Sequence, residues 1–295
     1  MIKQTLLFNT PKNLSLRYNQ LVIADRETPN VVTRPIEDIG VLIVEHPQVH
    51  FTVPLLNALA DQNVSVVFCD ERMMPKSMLM PLEGNNTMQE SYQSQMEASE
   101  PLKKQIWKQL IEQKIRNQSA VLQSVGREGN VLRPYYMNVK SGDTDNREGA
   151  AARIYWQQLF GSAFRREREG DPPNNFLNYG YAILRAAVAR ALVGSGLYPA
   201  FGIFHRNRYN AFPLADDVME PYRPFVDEIV YRLYFDGAES VLDNVTKSHL
   251  LRVLFSDVSI GQVTRPLEIA LSITTASLTR MYRKETNTLS LPSFP

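Results

Sequence analysis

Cysteine is almost missing from this chain: Cys69 is the only one in 295 residues. No internal disulfide can form, and no paired C-x-x-C exists to hold a metal or run redox chemistry. Cys69 lies in the apolar run VSVVFCD, so it is expected to be a buried structural thiol. Long apolar runs are lacking too. None reaches eighteen residues, so no segment is expected to span a membrane. The opening MIKQTLLFNT has no signal-peptide core, and the expected location is cytoplasmic. No Walker A motif, G-x-G-x-x-G or G-x-S-x-G is present, which removes the commonest nucleotide and acyl-transfer signatures. Histidine is scarce, with four in all, and lysine is absent from Ser141 to Thr246.

What is present is a soluble-type composition, with 44% hydrophobic and 21% charged residues. That supports sizeable cores in a chain long enough for two modest domains. The net charge of +1 argues for no partner by itself, but its distribution is uneven. Pro101–Lys140 holds eight Lys/Arg against two Glu, and Arg153–Arg208 eight Arg against three acids. Tyr209–Thr246 reverses this, with eight acids against two Arg. Basic segments ahead of an acidic one suit a polyanion held over a metal-binding cluster, although helices with charged outer faces give the same counts. In the lysine-free stretch the cations are arginines, whose planar fork grips phosphate.

The first eighty or so residues read as β-rich. TLLFNT, NLSLRYNQLVIAD, DIGVLIVEH and VSVVFCD are β-branched and apolar runs separated by Asn, Pro and Asp. Between the last two, Pro54 suits a first helical turn, with Leu55, Leu56 and Leu59 on one face. Residues 83–99 are polar and read as a linker with room for some helix. Beyond them strand signals nearly vanish. Helical spacing runs through LKKQIWKQLIEQKIRNQ, REGAAARIYWQQLF and NYGYAILRAAVARALVGSG, the last apolar nearly all round and so expected at the centre of a bundle. The expected fold class is therefore α+β with two domains. A small N-terminal β-sheet domain with an inserted helix (1–82) precedes a larger all-α domain (100–285), and a loosely ordered tail (286–295) ends the chain.

Candidate chemistry centres on HRNRYNAFPLADDVMEPYRP. Leu214, Val218, Tyr222, Phe225, Ile229 and Leu233 follow a helical period through Pro221 and Pro224, where the helix must kink or restart. Asp217 and Glu220 share a face at i,i+3, and Asp216 and Glu220 at i,i+4. A cation would relieve their repulsion, whereas Asp216 suits an acidic first turn. His205 closes an apolar run, as either a core histidine or a ligand. With two carboxylates it would suit Mg²⁺ or Mn²⁺. Glu148, followed by Gly149 and three alanines, is a third candidate. It also fits a capping box with Asp145 as N-cap. His46 and His50 are a weaker alternative, because Pro47 interrupts them. Arg185 and Arg190 lie inside the apolar helix and need carboxylates or phosphate, the acidic cluster being one possible partner.

The stretches KKQIWKQLIEQKIRNQ, DTDNREGAAARIYW and NNFLNYGYAILRAAVARALVGSGLYPAFGIFHRNRYNAFPLADDVMEPYRPFVD, with DIGVLIVEH, resemble the CRISPR adaptation integrase, the universal spacer-integrating subunit, in its type II branch. The resemblance covers nearly the whole chain. It implies metal binding and catalysis by Glu148, His205 and Glu220, with Asp217 as an auxiliary acid and Mg²⁺ or Mn²⁺ as cofactor. It implies joining of prespacer 3′-OH ends to the CRISPR repeat by transesterification. Structure-selective DNA cleavage, or a non-catalytic DNA-clamping role within the integration complex, are the alternatives. DNA contacts are expected from Arg165, Arg166, Arg168, Asn178, Tyr181, Arg185, Arg206, Asn207 and Arg208. The implied partners are double-stranded DNA (prespacer and leader–repeat), a second copy in a homodimer formed through the N-terminal domain, and a small companion adaptation protein. The RNA-guided effector nuclease is a further partner the resemblance leaves room for.

Overall fold

The structure, a computed structural model, describes residues 4–71, 74–81, 85–167, 170–205, 207–235 and 241–295. The chain divides into two compact units, Met1–Asn86 and Thr87–Pro295. The first contains β1 (Gln4–Phe8), β2 (Lys12–Arg17), β3 (Gln20–Asp25), β4 (Val31–Pro35), β5 (Ile39–Val44), β6 (Val49–Phe51), α1 (Val53–Asp61), β7 (Ser65–Cys69) and β8 (Pro75–Leu79).

These strands form two sheets rather than one. The order β1-β5-β7-β8 is parallel except for β8, and β4-β3-β2 is antiparallel with β6 added parallel to β2. The run NLSLRYNQLVIAD splits into the β2–β3 hairpin because Tyr18 and Asn19 both take positive φ, 50° and 57°, as a two-residue turn of matching twist requires. β5, the sequence IGVLIV, is buried along its whole length, as expected for a strand covered on both faces. Leu14, Leu21, Ile39, Leu42 and Val66 from the strands meet Leu55 and Leu59 of α1 in one core. Pro54 stands in the first turn of α1, where no amide partner is lost. Cys69 forms no disulfide, as expected, but is half-buried rather than buried, because it ends β7 at a register shift opposite β8. His46 precedes the short strand β6, and His50 lies within it. His46 Nδ1 accepts from the Gln48 amide, and His50 is exposed.

The second unit is helical, with α2 (Met88–Met96), α3 (Glu100–Ser124), α4 (Arg133–Tyr136), α5 (Arg147–Phe160), α6 (Asn174–Gly194), α7 (Pro213–Met219), α8 (Arg223–Phe235), α9 (Asn244–Leu251) and α10 (Leu267–Tyr282). α3 and α6 are its two long axes. α6 packs against α7, α8, α9 and α10, and α3 against α4, α5 and α8. A Cβ on Gly180 would lie 2.5 Å from Val226, so glycine is what lets α6 and α8 approach. Among the described residues no helix is long and apolar enough to cross a membrane.

A helix in the linker stretch matches the sequence reading, whereas a small second-unit sheet and the seat of the tail depart from it. The linker stretch holds α2, whose Gln95 side chain donates to the Tyr198 and Phe201 carbonyls and accepts from the Tyr198 amide. A three-stranded sheet accompanies the helices: β9 (Asp257–Ile260) lies between β10 (Val263–Pro266) and β11 (Pro292–Ser293). The tail is pinned rather than loose. Phe294 stacks on Phe225 at 4.1 Å, the Leu289 amide donates to Gln109, and Asn117 donates to the Pro292 carbonyl. Its short polar sequence hides this, because the partners lie far away in the chain.

Candidate metal and DNA site

The acidic stretch breaks where its prolines demand. α7 ends at Met219, a single 3₁₀ turn covers Glu220–Tyr222, and α8 restarts at Arg223. Pro221 and Pro224 each lack an amide donor, so a continuous α-helix is excluded. Glu220 therefore stands on a turn between two helices, buried. The Asn117 amide, from α3, donates to the Pro221 carbonyl at 2.7 Å and fixes that turn.

Glu148 reaches the same place from α5. The N-cap is Asn146, at φ 50°, whose side chain accepts from the Gly149 amide. Asp143 accepts from the Arg147 and Glu148 amides at 2.8 and 3.0 Å. The expected Asp145 capping box is absent: Asp145 pairs with Lys140 and Arg147 instead. Two other residues already satisfy the helix start, so the Glu148 carboxylate is released from capping. It points to Lys114 of α3, whose Nζ lies 2.5 Å from Glu148 Oε1 and 2.6 Å from Glu220 Oε2. Glu220 Oε1 pairs with Arg223 Nε at 2.9 Å. Burial would raise the Glu220 carboxyl, but Arg223 and Lys114 overcome it and hold the group below the usual carboxylate range.

Asp217 is fully buried and serves a different purpose. Its carboxylate accepts the backbone amides of Ile203 (2.5 Å), Phe204 (3.1 Å) and His205 (3.2 Å), and His205 Nδ1 at 2.6 Å. A carboxylate holding three amide donors is ionised, so Nδ1 is the donor and Nε2 is left outward. Gly202 makes room for this loop: a Cβ there would lie 2.5 Å from the His205 carbonyl and 3.2 Å from Asp217. Trp107 of α3 stacks on Phe204 at 4.3 Å and sets its edge toward the His205 ring. The hydrogen bond to Asp217 raises the His205 pKa, burial opposes it, and the charges of Asp217, Glu220 and Asp216 add to the rise.

The structure thus brings Glu148 and Glu220 together, and His205 and Asp217 together, with His205 within the field of Glu220. Among the described residues no three His, Cys, Asp or Glu side chains stand close enough to enclose an ion, the His46–His50 region included. Asp216 is not a solvated helix-start acid alone. It pairs with Arg185 at 2.7 Å and accepts from Asn210, while Arg190 pairs with Glu268 at 2.5 Å. Both helix-borne arginines therefore have internal carboxylates.

The expected DNA contacts divide by accessibility. Arg165, Asn207 and Arg208 are exposed. A cavity of about 490 Å³ beside His205 is lined by Lys103, Gly202, Asn207 and Arg208 among others. Arg166 is half-buried and donates to Asn178. Tyr181 is buried, its hydroxyl shared with Asp227, so it is turned away from solvent. Arg168 and Arg206 lie outside the described residues. Sequence reasoning missed Lys114, Arg223 and Trp107. The signal for Lys114 was a lysine between Ile111 and Ile115, on the face of α3 that also buries Gln118.

The family model for CRISPR associated protein Cas1 matches residues 6–257. The CRISPR-associated endonuclease Cas1 of Neisseria meningitidis serogroup C (strain 8013) is 41% identical over 263 residues, covering 88% of this chain and 86% of that protein. Among solved structures, a casposase bound to an integration product superposes with a TM-score of 0.80 at 22% identity, covering 98% of this chain and 93% of that one. A chain of a Cas6-RT-Cas1–Cas2 complex gives 0.75 at 16% identity, covering 99% of this chain and 36% of that one. A β-sheet unit followed by a helical unit is the fold these structures share. The chain belongs to the Cas1 family.

Proposed function

We propose that the protein is a divalent-metal-dependent DNA integrase and endonuclease of CRISPR adaptation, which joins prespacer 3′-OH ends to the repeat by transesterification. One observation carries this reading: Glu148 and Glu220, from separate elements, converge on a single cation position. The donor chemistry fits Mg²⁺ or Mn²⁺. Glu220 Oε2 is buried, and the Lys114 ammonium stands 2.6 Å from it. His205 has its Nδ1 tied to a carboxylate, the arrangement that orients a histidine ligand through its other nitrogen. Glu148, Glu220 and His205 would hold the ion, and Asp217 would stand behind His205 rather than on the metal.

A bound ion would polarise the phosphoryl oxygen and stabilise the charge that develops there. The protein's own residues do the rest. Asp217 keeps the imidazole in one tautomer, and Arg223 keeps Glu220 ionised. Lys103, Asn207 and Arg208 line the cavity beside His205 and are suited to phosphate oxygens. The incoming 3′-OH gives up its proton to solvent as it forms one P–O bond, the old P–O bond breaks, and the departing 3′ oxygen takes up a proton from solvent. Bond number is conserved, so no nucleotide need be hydrolysed, in keeping with the absent Walker motif. The casposase of the same fold is solved on an integration product, which favours joining over cutting. The complex that includes Cas2 favours a small companion subunit, and a homodimer on duplex DNA completes the proposed assembly.

The test is a labelled prespacer incubated with a repeat-containing target and Mg²⁺ or Mn²⁺. Joined strands support integration, and shortened strands alone would leave only a nuclease. Glu148→Ala and His205→Ala should each lower joining by about a hundredfold or more with folding and DNA binding retained. Joining at the wild-type rate by Glu148→Ala would refute the site.

A further inference from the structure

We infer that Lys114 is a tethered counter-cation, holding Glu148 and Glu220 in ligand register without metal and competing with the divalent ion for both carboxylates. This rests on the metal reading above. The ammonium spans the two groups at 2.5 and 2.6 Å, so it takes the place an ion would take. It comes from α3, which contributes neither carboxylate. A buried Glu220 beside a partly exposed Glu148, with nothing between them, would repel and leave Glu220 desolvated for no return. A lysine from a third element removes that cost.

Lys114 is also the member of the group free to leave. The Glu148 backbone is anchored by Asp143 and Asn146 at the start of α5. Glu220 keeps Arg223 on its other oxygen, and its turn is held by Asn117. Both carboxylates therefore stay in place when the ammonium moves. Lysine suits the task because it is a compact point charge on a flexible four-carbon stem, whereas an arginine fork would lock both oxygens. The contact to Glu220 Oε2 is an ion pair at 2.6 Å, a charge interaction that a divalent ion can take over. The consequence is a pair of carboxylates held together before metal arrives, at the cost of weaker metal binding.

The experiment is Mn²⁺ titration of the full-length chain, followed by electron paramagnetic resonance, for wild type, Lys114→Met, Glu148→Gln and the control Lys104→Met on the same helix. Lys114→Met should bind Mn²⁺ about tenfold more tightly or better, because its competitor is gone. Its metal-free melting temperature should fall, and Mn²⁺ should restore it. Lys104→Met should stay within about twofold of wild type, since that charge is not between the carboxylates. Unchanged or weaker Mn²⁺ binding by Lys114→Met overturns the inference alone, provided that Glu148→Gln lowers binding. Binding that Glu148→Gln leaves unchanged, or no binding by any form, overturns the metal reading and this inference with it. If Lys114→Met fails to fold even with Mn²⁺, a wild-type crystal soaked in Mn²⁺ decides. The ion should lie between Glu148 and Glu220 with the Lys114 ammonium displaced, and a lysine still bridging both carboxylates refutes the competition.

Discussion

His205 donates its Nδ1 proton to Asp217 at 2.6 Å, and Asp217 has no contact with solvent. The pair fixes which imidazole nitrogen faces the site. It also makes the site sensitive to pH. The His205 pKa is raised chiefly by the Asp217 hydrogen bond, so the protonated ring stabilises the fold below the ordinary imidazole range. That contribution fades as pH rises through the raised value. Metal ligation needs the neutral ring, so joining should weaken as pH falls through the same titration, which begins above the ordinary range. Asp217→Asn should move that midpoint to lower pH. A pH–rate profile that is flat from about pH 8 to 6 in the wild type would remove His205 from the ligand set.

Asp227 offers a second pH signature, in stability alone. Burial lifts its carboxyl from the ordinary 3.8 to about 6, only partly offset by the Tyr181 and Tyr155 hydroxyls. The native state then binds this proton more tightly than the unfolded chain. Stability should fall as pH rises between those two values and level off above, by an amount on the order of 3 kcal/mol. Urea midpoints of wild type and Asp227→Asn across that window check it: the variant should lose this share of the slope.

Arg190 and Glu268 join α6 to α10 inside the helical unit, with side chains 11% and 4% exposed. Glu268→Ala should cost about 3–5 kcal/mol, because a buried guanidinium loses its carboxylate. Replacing both partners with apolar residues of similar volume should recover most of that loss. Denaturant midpoints for the single and double variants measure it, and a neutral Glu268→Ala would mean that the pair is not buried in solution.

The exposed arginines make a prediction about salt. If Arg153, Arg165 and Arg208 each neutralise one phosphate, replacing all three by Gln should flatten the dependence of log K on log salt by about 0.9 per contact. Fluorescence anisotropy of a labelled duplex at graded ionic strength reads the slope. An unchanged slope would place the DNA elsewhere on the protein.

Much of this was legible from residues alone, and the reasons differ by element. The break at Pro221 and Pro224 follows from missing amides, so it was readable without any tertiary information. The central position of α6 followed from an apolar surface with no polar face. The need of Arg185 and Arg190 for carboxylates or phosphate was a burial argument, and the structure supplies carboxylates, Asp216 and Glu268. The start of α5 was misread by one residue, since Asp145 and Asn146 are both good caps and only the left-handed backbone at Asn146 decides between them. Lys114, β11 and the seat of Phe294 were hidden for one shared reason. Each depends on partners more than thirty residues away, and no local pattern encodes such a distance.

Asn117 spends both protons of one amide group, on the carbonyls of Pro221 and Pro292. The first belongs to the turn that carries Glu220, the second to the last strand of the chain. A single side chain is thus a mechanical tie between the Glu220 turn and the carboxy-terminal segment. Lifting the Pro292 segment would remove one of the two carbonyls that orient the Asn117 amide, and so loosen its hold on the Glu220 turn.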